Sequence, residues 1–120
     1  MLENFYSLNS ISTEGTQTTA LITINKDHEV FRGHFPGNPV TPGVCMMQII
    51  KELTEKVVDK KLFMHSSSNI KFMALINPEK TPDLVLILDV TETETGYKVK
   101  NETRFGETIA LKLVSSYIIK

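Results

Sequence analysis

The sequence predicts an α+β domain in which an antiparallel sheet curls round one long helix. One helical pattern, from Pro42 to about Asp59, stands between segments that are rich in β-branched and aromatic residues. Turn residues separate those segments at short intervals, which is typical of antiparallel strands. With 120 residues, of which 41% are hydrophobic, the chain can bury one core. We therefore expect a single domain over residues 1–120.

The first predicted strand covers residues 16–25. Its side chains alternate, with Thr18, Ala20 and Ile22 on one face and Thr19 and Leu21 on the other. A polar stretch then leads into a loop that is rich in proline and glycine.

Three prolines and two glycines between Pro36 and Gly43 restrict the backbone of this loop. His34 opens the loop, so its imidazole is held in place and is a candidate base. The other two histidines, His28 and His65, stand in polar surroundings. We expect them to face solvent or to have a structural role.

The helix is predicted to begin with Thr41 as N-cap and Pro42 as its first residue. The free N–H groups around Gly43 and Val44 form a natural site for a developing oxyanion, because unpaired donors and the helix dipole both favour negative charge there. In the run after Gly43 only Gln48 is strongly polar, so the start of the helix is expected to be buried.

Four strands with short connections follow the helix and suggest a meander. Turn signals at Asn77-Pro78, Glu94-Thr95-Gly96 and Phe105-Gly106-Glu107 separate them. The predicted strands are Phe63 to Ile76, Asp83 to Thr93, Gly96 to Phe105 and Glu107 to Ile119.

Charge and composition exclude several function classes. A net charge of -1 gives no reason to expect nucleic acid or an anionic membrane as a partner. No basic and apolar leader opens the sequence and no window approaches a membrane span. Cys45 is the single cysteine and lies in an apolar run, which favours a buried, reduced thiol. We expect a soluble, cytoplasmic protein without a metal site.

The loop and helix start resemble the active-site signature of the hot-dog-fold 3-hydroxyacyl-[acyl carrier protein] dehydratases of fatty-acid synthesis. The matching run is Gly33-His34-Phe35-Pro36-Gly37-Asn38-Pro39-Val40-Thr41-Pro42-Gly43-Val44. Weaker similarity continues from Asn69 to Pro78, where the family has a strand before a proline turn. The resemblance implies a hot-dog fold for the whole chain.

The resemblance also implies a mechanism that needs no cofactor. His34 would remove the α-proton beside a thioester carbonyl, which the N–H of Gly43 would polarise. In that family an acidic residue fourteen positions after the histidine gives a proton to the departing hydroxyl. Here that position is Gln48. An amide has no titratable proton, so Gln48 would hold the hydroxyl or a water while another group, for which His34 is one candidate, returns the proton. The alternative is a buried amide satisfied by the backbone; Glu52 and Glu55, further along the helix, are interpreted as solvated.

The substrate implied by the resemblance is carried on the phosphopantetheine arm of acyl carrier protein, an acidic partner. Arg32, Lys71 and Lys26 would give a basic rim for it. Five apolar residues are candidates for the wall of an acyl-chain pocket, and core packing explains each of them equally well. They are Phe31, Phe35, Met46, Met47 and Phe72. The family also implies a homodimer or a multiple of dimers, in which each site combines the histidine of one subunit with the helix residue of the other.

The first functional hypothesis is a dehydratase that converts a 3-hydroxyacyl thioester into a 2-enoyl thioester, in fatty-acid or related lipid or polyene synthesis. A non-catalytic acyl-binding protein, or the partner subunit of a heteromeric dehydratase, would explain Gln48 directly. A hot-dog thioesterase and an isomerase are further alternatives.

Overall fold

Six antiparallel strands and one α-helix make up the protein in the computed structural model, which describes residues 3–33 and 39–120, with the backbone alone at 32 and 33. A short 3₁₀ helix, Glu29–Gly33, precedes the α-helix. The α-helix α1 spans Gly43–Val58. The strands are β1 (Tyr6–Glu14), β2 (Gln17–Ile24), β3 (Leu62–Phe72), β4 (Asp83–Glu92), β5 (Gly96–Phe105) and β6 (Thr108–Ile119).

The strand order in the sheet is β1-β2-β4-β5-β6-β3, with every neighbouring pair antiparallel. The predicted meander is therefore right for β4, β5 and β6 and wrong for β3, which pairs with β6 at the far edge. The reason lies in the connection over residues 73–82, which is long enough to carry the chain from one side of the sheet to the other. β3 is also shorter than predicted and ends at Phe72.

β1 is a strand that the sequence analysis did not predict. Most of its side chains are small, polar and exposed, so the alternation that marks a buried strand is weak. It forms because β2 offers its free edge, with register from Tyr6↔Ile24 to Glu14↔Gln17. Gly15, at φ 60°, makes the tight turn between the two strands and was the one local signal of a hairpin.

The core lies between the concave face of the sheet and one stripe of α1. Alternate residues of β2 and β4, such as Ile22 and Leu86, point inward and are almost fully buried. The helix supplies Met46, Ile49, Ile50 and Leu53, spaced at three and four residues. Each such side chain contributes about 1.5–3 kcal/mol of burial free energy, and together they hold α1 against the sheet.

The start of the helix is less buried than predicted. Val44 is 74% exposed and Met47 is half-buried, because the buried stripe runs through Met46 and Ile49 instead. Among the described residues, nothing covers Val44 fully, and Met47 is covered only in part. Within the described residues, no helix combines the length and the hydrophobicity that a membrane span requires.

Candidate active site

The N-terminus of α1 begins one residue later than predicted. Pro42, with extended backbone (φ −62°, ψ 144°), occupies the N-cap position, and no side chain caps the helix. The prediction of Thr41 as N-cap is wrong, because the Thr41 N–H is tied to the Ile76 carbonyl at 2.8 Å and this holds residue 41 outside the helix. The Thr41 hydroxyl is buried and has no partner among the described residues.

Two backbone donors at this end of the helix lack a partner among the described residues. The carbonyl of Pro42 accepts from Cys45 N at 3.0 Å and from Met46 N at 3.2 Å. The N–H groups of Gly43 and Val44 have no acceptor in the described part of the chain. These donors and the positive end of the helix dipole make a position that favours a developing negative charge.

An apolar cavity of about 410 Å³ opens beside these donors. It is lined by residues 40–43 and 72–76 and by Met46. The Phe72 ring lies directly on Gly43, so a Cβ at position 43 would come within 2.6 Å of its Cζ atom. Glycine at position 43 therefore lets the aromatic wall reach the helix N-terminus. A larger depression, of about 650 Å³, lies at the opposite end of α1, away from the free donors.

Gln48 is half-buried and bound to another side chain of the helix. Its Nε2 donates to Glu52 Oε2 at 2.9 Å, while the Tyr6 hydroxyl donates to Glu52 Oε1, also at 2.9 Å. The alternative of an amide satisfied by the backbone is therefore wrong, and Glu52 is a bonded carboxylate rather than a solvated one. Burial, the hydrogen bond to Glu52 and its negative charge raise the pKa of Tyr6, so the phenol stays protonated and remains a donor.

The other predicted site residues are divided between the cavity and its surroundings. Gly43 and Phe72 line the cavity, whereas Val44, Met47 and Gln48 do not. Tyr6 and Glu52, the residues joined to Gln48 by hydrogen bonds, line the depression at the other end of α1. The predictions for His34 and Phe35 fall outside the described residues. Sequence reasoning missed Tyr6, which lies on the unpredicted strand β1 and carries no motif that could have identified it.

The surroundings of three further side chains, those of His28, Phe31 and Cys45, indicate structural roles. His28 Nε2 lies 3.0 Å from the Glu3 carbonyl and its Nδ1 accepts from Val30 N at 3.1 Å, so His28 stabilises the turn before the loop. The Phe31 ring stacks on a core phenylalanine at 5.5 Å between centroids, which favours the core interpretation for this residue. Burial raises the pKa of the Cys45 thiol, and a protonated thiol is a poor nucleophile.

Sequence comparisons match this chain to dehydratases. The sequence model of the ApeI-like family, described as ApeI dehydratase, matches residues 10–110. The 3-hydroxyacyl-[acyl-carrier-protein] dehydratase FabZ of Lactobacillus helveticus is 29% identical over 113 residues, which cover 88% of this chain and 74% of the relative. The FabZ of Oenococcus oeni is 29% identical over 96 residues, covering 74% and 68% of the two chains.

Solved structures share the fold at low sequence identity. The dehydratase heterocomplex ApeI:P from Xenorhabdus doucetiae superposes with a TM-score of 0.75 and 16% identity, covering 93% of this chain and 96% of the other. The HP0420 homologue from Helicobacter felis gives a TM-score of 0.70 at 14% identity, covering 100% and 81%. These similarities confirm the predicted hot-dog fold. With most of its length matched by the family's sequence model, the chain belongs to the ApeI-like dehydratase family.

Proposed function

We propose that the protein eliminates water from a 3-hydroxyacyl thioester on acyl carrier protein and releases the 2-enoyl thioester. The observation that carries the proposal is the pair of N–H groups without an acceptor among the described residues, those of Gly43 and Val44, of which Gly43 lines an apolar cavity of about 410 Å³. They follow directly on the loop that His34 opens. The printed names of the relatives, 3-hydroxyacyl-[acyl-carrier-protein] dehydratases, support this substrate class.

The first half of the reaction is removal of the α-proton. In the proposal the thioester carbonyl accepts a hydrogen bond from Gly43 N–H, and His34 takes the proton from the neighbouring carbon. The helix donors stabilise the enolate-like charge; one donor of this kind contributes about 10²–10³-fold to the rate in enzymes where it has been removed. Phe72 and Met46 provide apolar wall for the acyl chain.

The second half is departure of the 3-hydroxyl group. The carbon–oxygen bond breaks while the protonated His34 gives its proton to the leaving oxygen, so the proton taken from the α-carbon leaves in the product water. Gln48 carries no titratable proton and serves in this scheme by hydrogen bonding to the hydroxyl. The scheme needs no metal or organic cofactor.

Incubating the purified chain with a 3-hydroxyacyl-acyl carrier protein tests the proposal. We expect the 2-enoyl product, detected by mass spectrometry of the carrier-bound acyl group. Release of the free acid without loss of water would instead identify a thioesterase. Conversion of a supplied 2-enoyl thioester into its 3-enoyl isomer, without hydration or dehydration, would identify an isomerase.

The proposed carrier partner is acidic, and a basic surface on the outer face of the sheet fits it. Lys71 and Lys112 stand opposite each other on β3 and β6, and with Lys100 they surround a depression of about 220 Å³. Lys112 also lies 3.8 Å from Glu102, which in turn pairs with Arg104. Of the predicted rim of Arg32, Lys71 and Lys26, this surface contains Lys71, whose basic neighbours are Lys100 and Lys112. Lys26 does not line the depression, and the Arg32 side chain falls outside the described residues.

Reversing charge on this surface should weaken use of the carrier. The double variant Lys71→Glu/Lys100→Glu is expected to raise KM for the carrier-bound substrate about tenfold, because like charges would face each other across the complex. KM for the same acyl group on free pantetheine should stay unchanged. Lys26→Glu is the matched control. Equal changes for both substrates would contradict a carrier-docking role.

The exposed edge of the sheet supports assembly into dimers. β3 has β6 on one side and no strand on the other in the described structure. Its surface, with the segment that follows it, carries six exposed apolar side chains: Phe63, Met64, Ile70, Phe72, Met73 and Leu75. A long unpaired edge of this kind favours pairing with a second strand, and isologous pairing of two copies would cover it. Such pairing fits the proposed sites shared between two subunits.

Light scattering should give a dimer, or a multiple of it, at micromolar concentration. Ile70→Lys, which places a charge on the β3 edge, is expected to yield monomers without dehydratase activity. Ile11→Lys, a matched change of an exposed isoleucine on β1, should leave the assembly intact. A wild-type monomer, or dissociation by Ile11→Lys alone, would contradict the model of assembly through β3.

A partner-subunit role is the second candidate, and Gln48 is the observation that favours it. A chain with an amide at position 48 would complete its site by pairing with a paralogue that has a carboxylate there. The similarity to the dehydratase heterocomplex ApeI:P agrees with that arrangement. For both candidate roles we propose a cytoplasmic protein. The free, buried thiol of Cys45 supports this, because such a thiol is typical of a reducing compartment.

A further inference from the structure

We infer that Glu52 is a positioning residue that sets which end of the Gln48 amide is available to the substrate, with Tyr6 holding Glu52 in place. The inference rests on the proposed function, because it assigns the orientation of the Gln48 side chain, which that function places on the departing hydroxyl. It extends the site beyond the loop and the helix N-terminus to β1.

The first step is the chemistry of the contact between Gln48 and Glu52. Residues four apart lie on the same side of a helix, and these two side chains meet at 2.9 Å. An ionised carboxylate only accepts hydrogen bonds, so the amide must present its nitrogen to Glu52. Gln48 Oε1 then remains as an acceptor, and no described residue occupies it.

The second step is what prevents the pair from rotating away. Glu52 is half-buried, and its other oxygen accepts from the Tyr6 hydroxyl at 2.9 Å. Tyr6 packs against the core from β1, so the carboxylate is held from two elements that are separated by 46 positions in the chain. The neighbouring carboxylate Glu55 is engaged elsewhere, with Leu62 N at 2.8 Å and with Lys51 at 3.7 Å.

The third step is the consequence for the reaction. An amide without a fixed partner presents its oxygen and its nitrogen almost interchangeably, since the two ends have similar size. With the nitrogen bound to Glu52, the Gln48 oxygen accepts from the 3-hydroxyl of the substrate. That hydrogen bond leaves a lone pair of the hydroxyl oxygen free for the proton that His34 returns. Glu52 thereby acts on the reaction only through Gln48.

The orientation can be measured without turnover by nitrogen-15 NMR of the Gln48 side-chain amide, assigned by its loss in Gln48→Glu. We expect Glu52→Ala to shift these resonances and to speed their hydrogen exchange at least tenfold, with a smaller effect in Tyr6→Phe. Glu55→Gln, which changes a carboxylate one turn further along the helix, is the control and should leave the Gln48 amide unchanged. Unchanged Gln48 resonances in Glu52→Ala would overturn the inference.

Kinetics and an exchange of the two side chains complete the test. Glu52→Ala should lower kcat at least tenfold with KM nearly constant, because the substrate still binds but its hydroxyl is misdirected. The double variant Gln48→Glu/Glu52→Gln restores one carboxylate and one amide in contact, and it should recover the stability that Gln48→Glu loses at neutral pH. No recovery would overturn the inference. Absence of turnover in the wild type, with the expected NMR shifts and the recovery, would overturn the proposed function alone.

Discussion

Replacement of His34 by alanine is expected to abolish dehydration by the purified protein. The imidazole is the proposed acceptor of the α-proton and the proposed donor to the departing hydroxyl, so its loss removes both proton transfers. One positioned acid or base contributes about 10²–10⁴-fold to a rate, and we expect a loss at the upper end of that range or beyond it. Initial rates with a 3-hydroxyacyl-acyl carrier protein would measure it.

Two controls separate catalysis from folding in this experiment. His65 is exposed on β3, and His65→Ala should leave both turnover and thermal unfolding unchanged. His28→Ala removes the contacts with Glu3 and Val30, so it should lower the melting temperature and still allow turnover below it. If His34→Ala retains most of the wild-type rate, the mechanism proposed for the loop is wrong.

Gln48→Glu is expected to raise dehydration by an order of magnitude or more. The new carboxylate would face Glu52 at the distance where the amide nitrogen now lies, 2.9 Å. Two carboxylates this close cannot both ionise easily, so the pKa of the pair rises and one proton is retained toward neutral pH. That proton can serve the departing hydroxyl directly. Rates of the two proteins on one substrate, compared over pH, would measure the gain.

The same substitution should make stability depend on pH. Glutamate in the unfolded chain has a pKa of about 4.3, and the folded pair has a higher one. Between these values the folded protein binds more protons than the unfolded chain, so the free energy of unfolding falls as pH rises through this window. Wild type, which has an amide at position 48, should lack this loss. Urea denaturation at several pH values would show the difference.

The outcomes of Gln48→Glu distinguish the hypotheses. A rise in activity identifies a dehydratase whose helix acid has been replaced. A fall from measurable wild-type activity means that the amide itself is part of the mechanism. No activity in either protein, followed by activity on mixing the wild type with a paralogue that carries a helix carboxylate, identifies a partner subunit.

Local patterns in the sequence were sufficient to predict the fold class. Alternating side chains predicted β2, and β-branched and aromatic composition between turn signals predicted β4, β5 and β6, to within one or two residues of their observed limits. The helical spacing that begins with Val44, Met47 and Ile50 predicted α1 almost to its ends. These signals are reliable because they depend on neighbours within a few positions. The loop motif around His34 is equally local, and it led directly to the dehydratase family.

Tertiary contacts decided what those patterns left open. β1 exists because the edge of β2 pairs with it, and β3 lies beside β6 because of the path that the chain takes across the sheet. The order of strands is set by pairing between distant segments, and such pairing leaves little trace in the alternation of any one strand.

The environment of Gln48 shows the same division. The sequence by itself determined that an amide stands at position 48, where the resemblance to the dehydratases implies an acid, and that Glu52 follows four residues later. Only the folded chain brings Tyr6 to Glu52 from 46 positions away and so decides which end of the amide is bound. The physical reason is that a hydrogen bond requires its atoms within about 3 Å, a distance that only folding can set for groups so far apart in the chain.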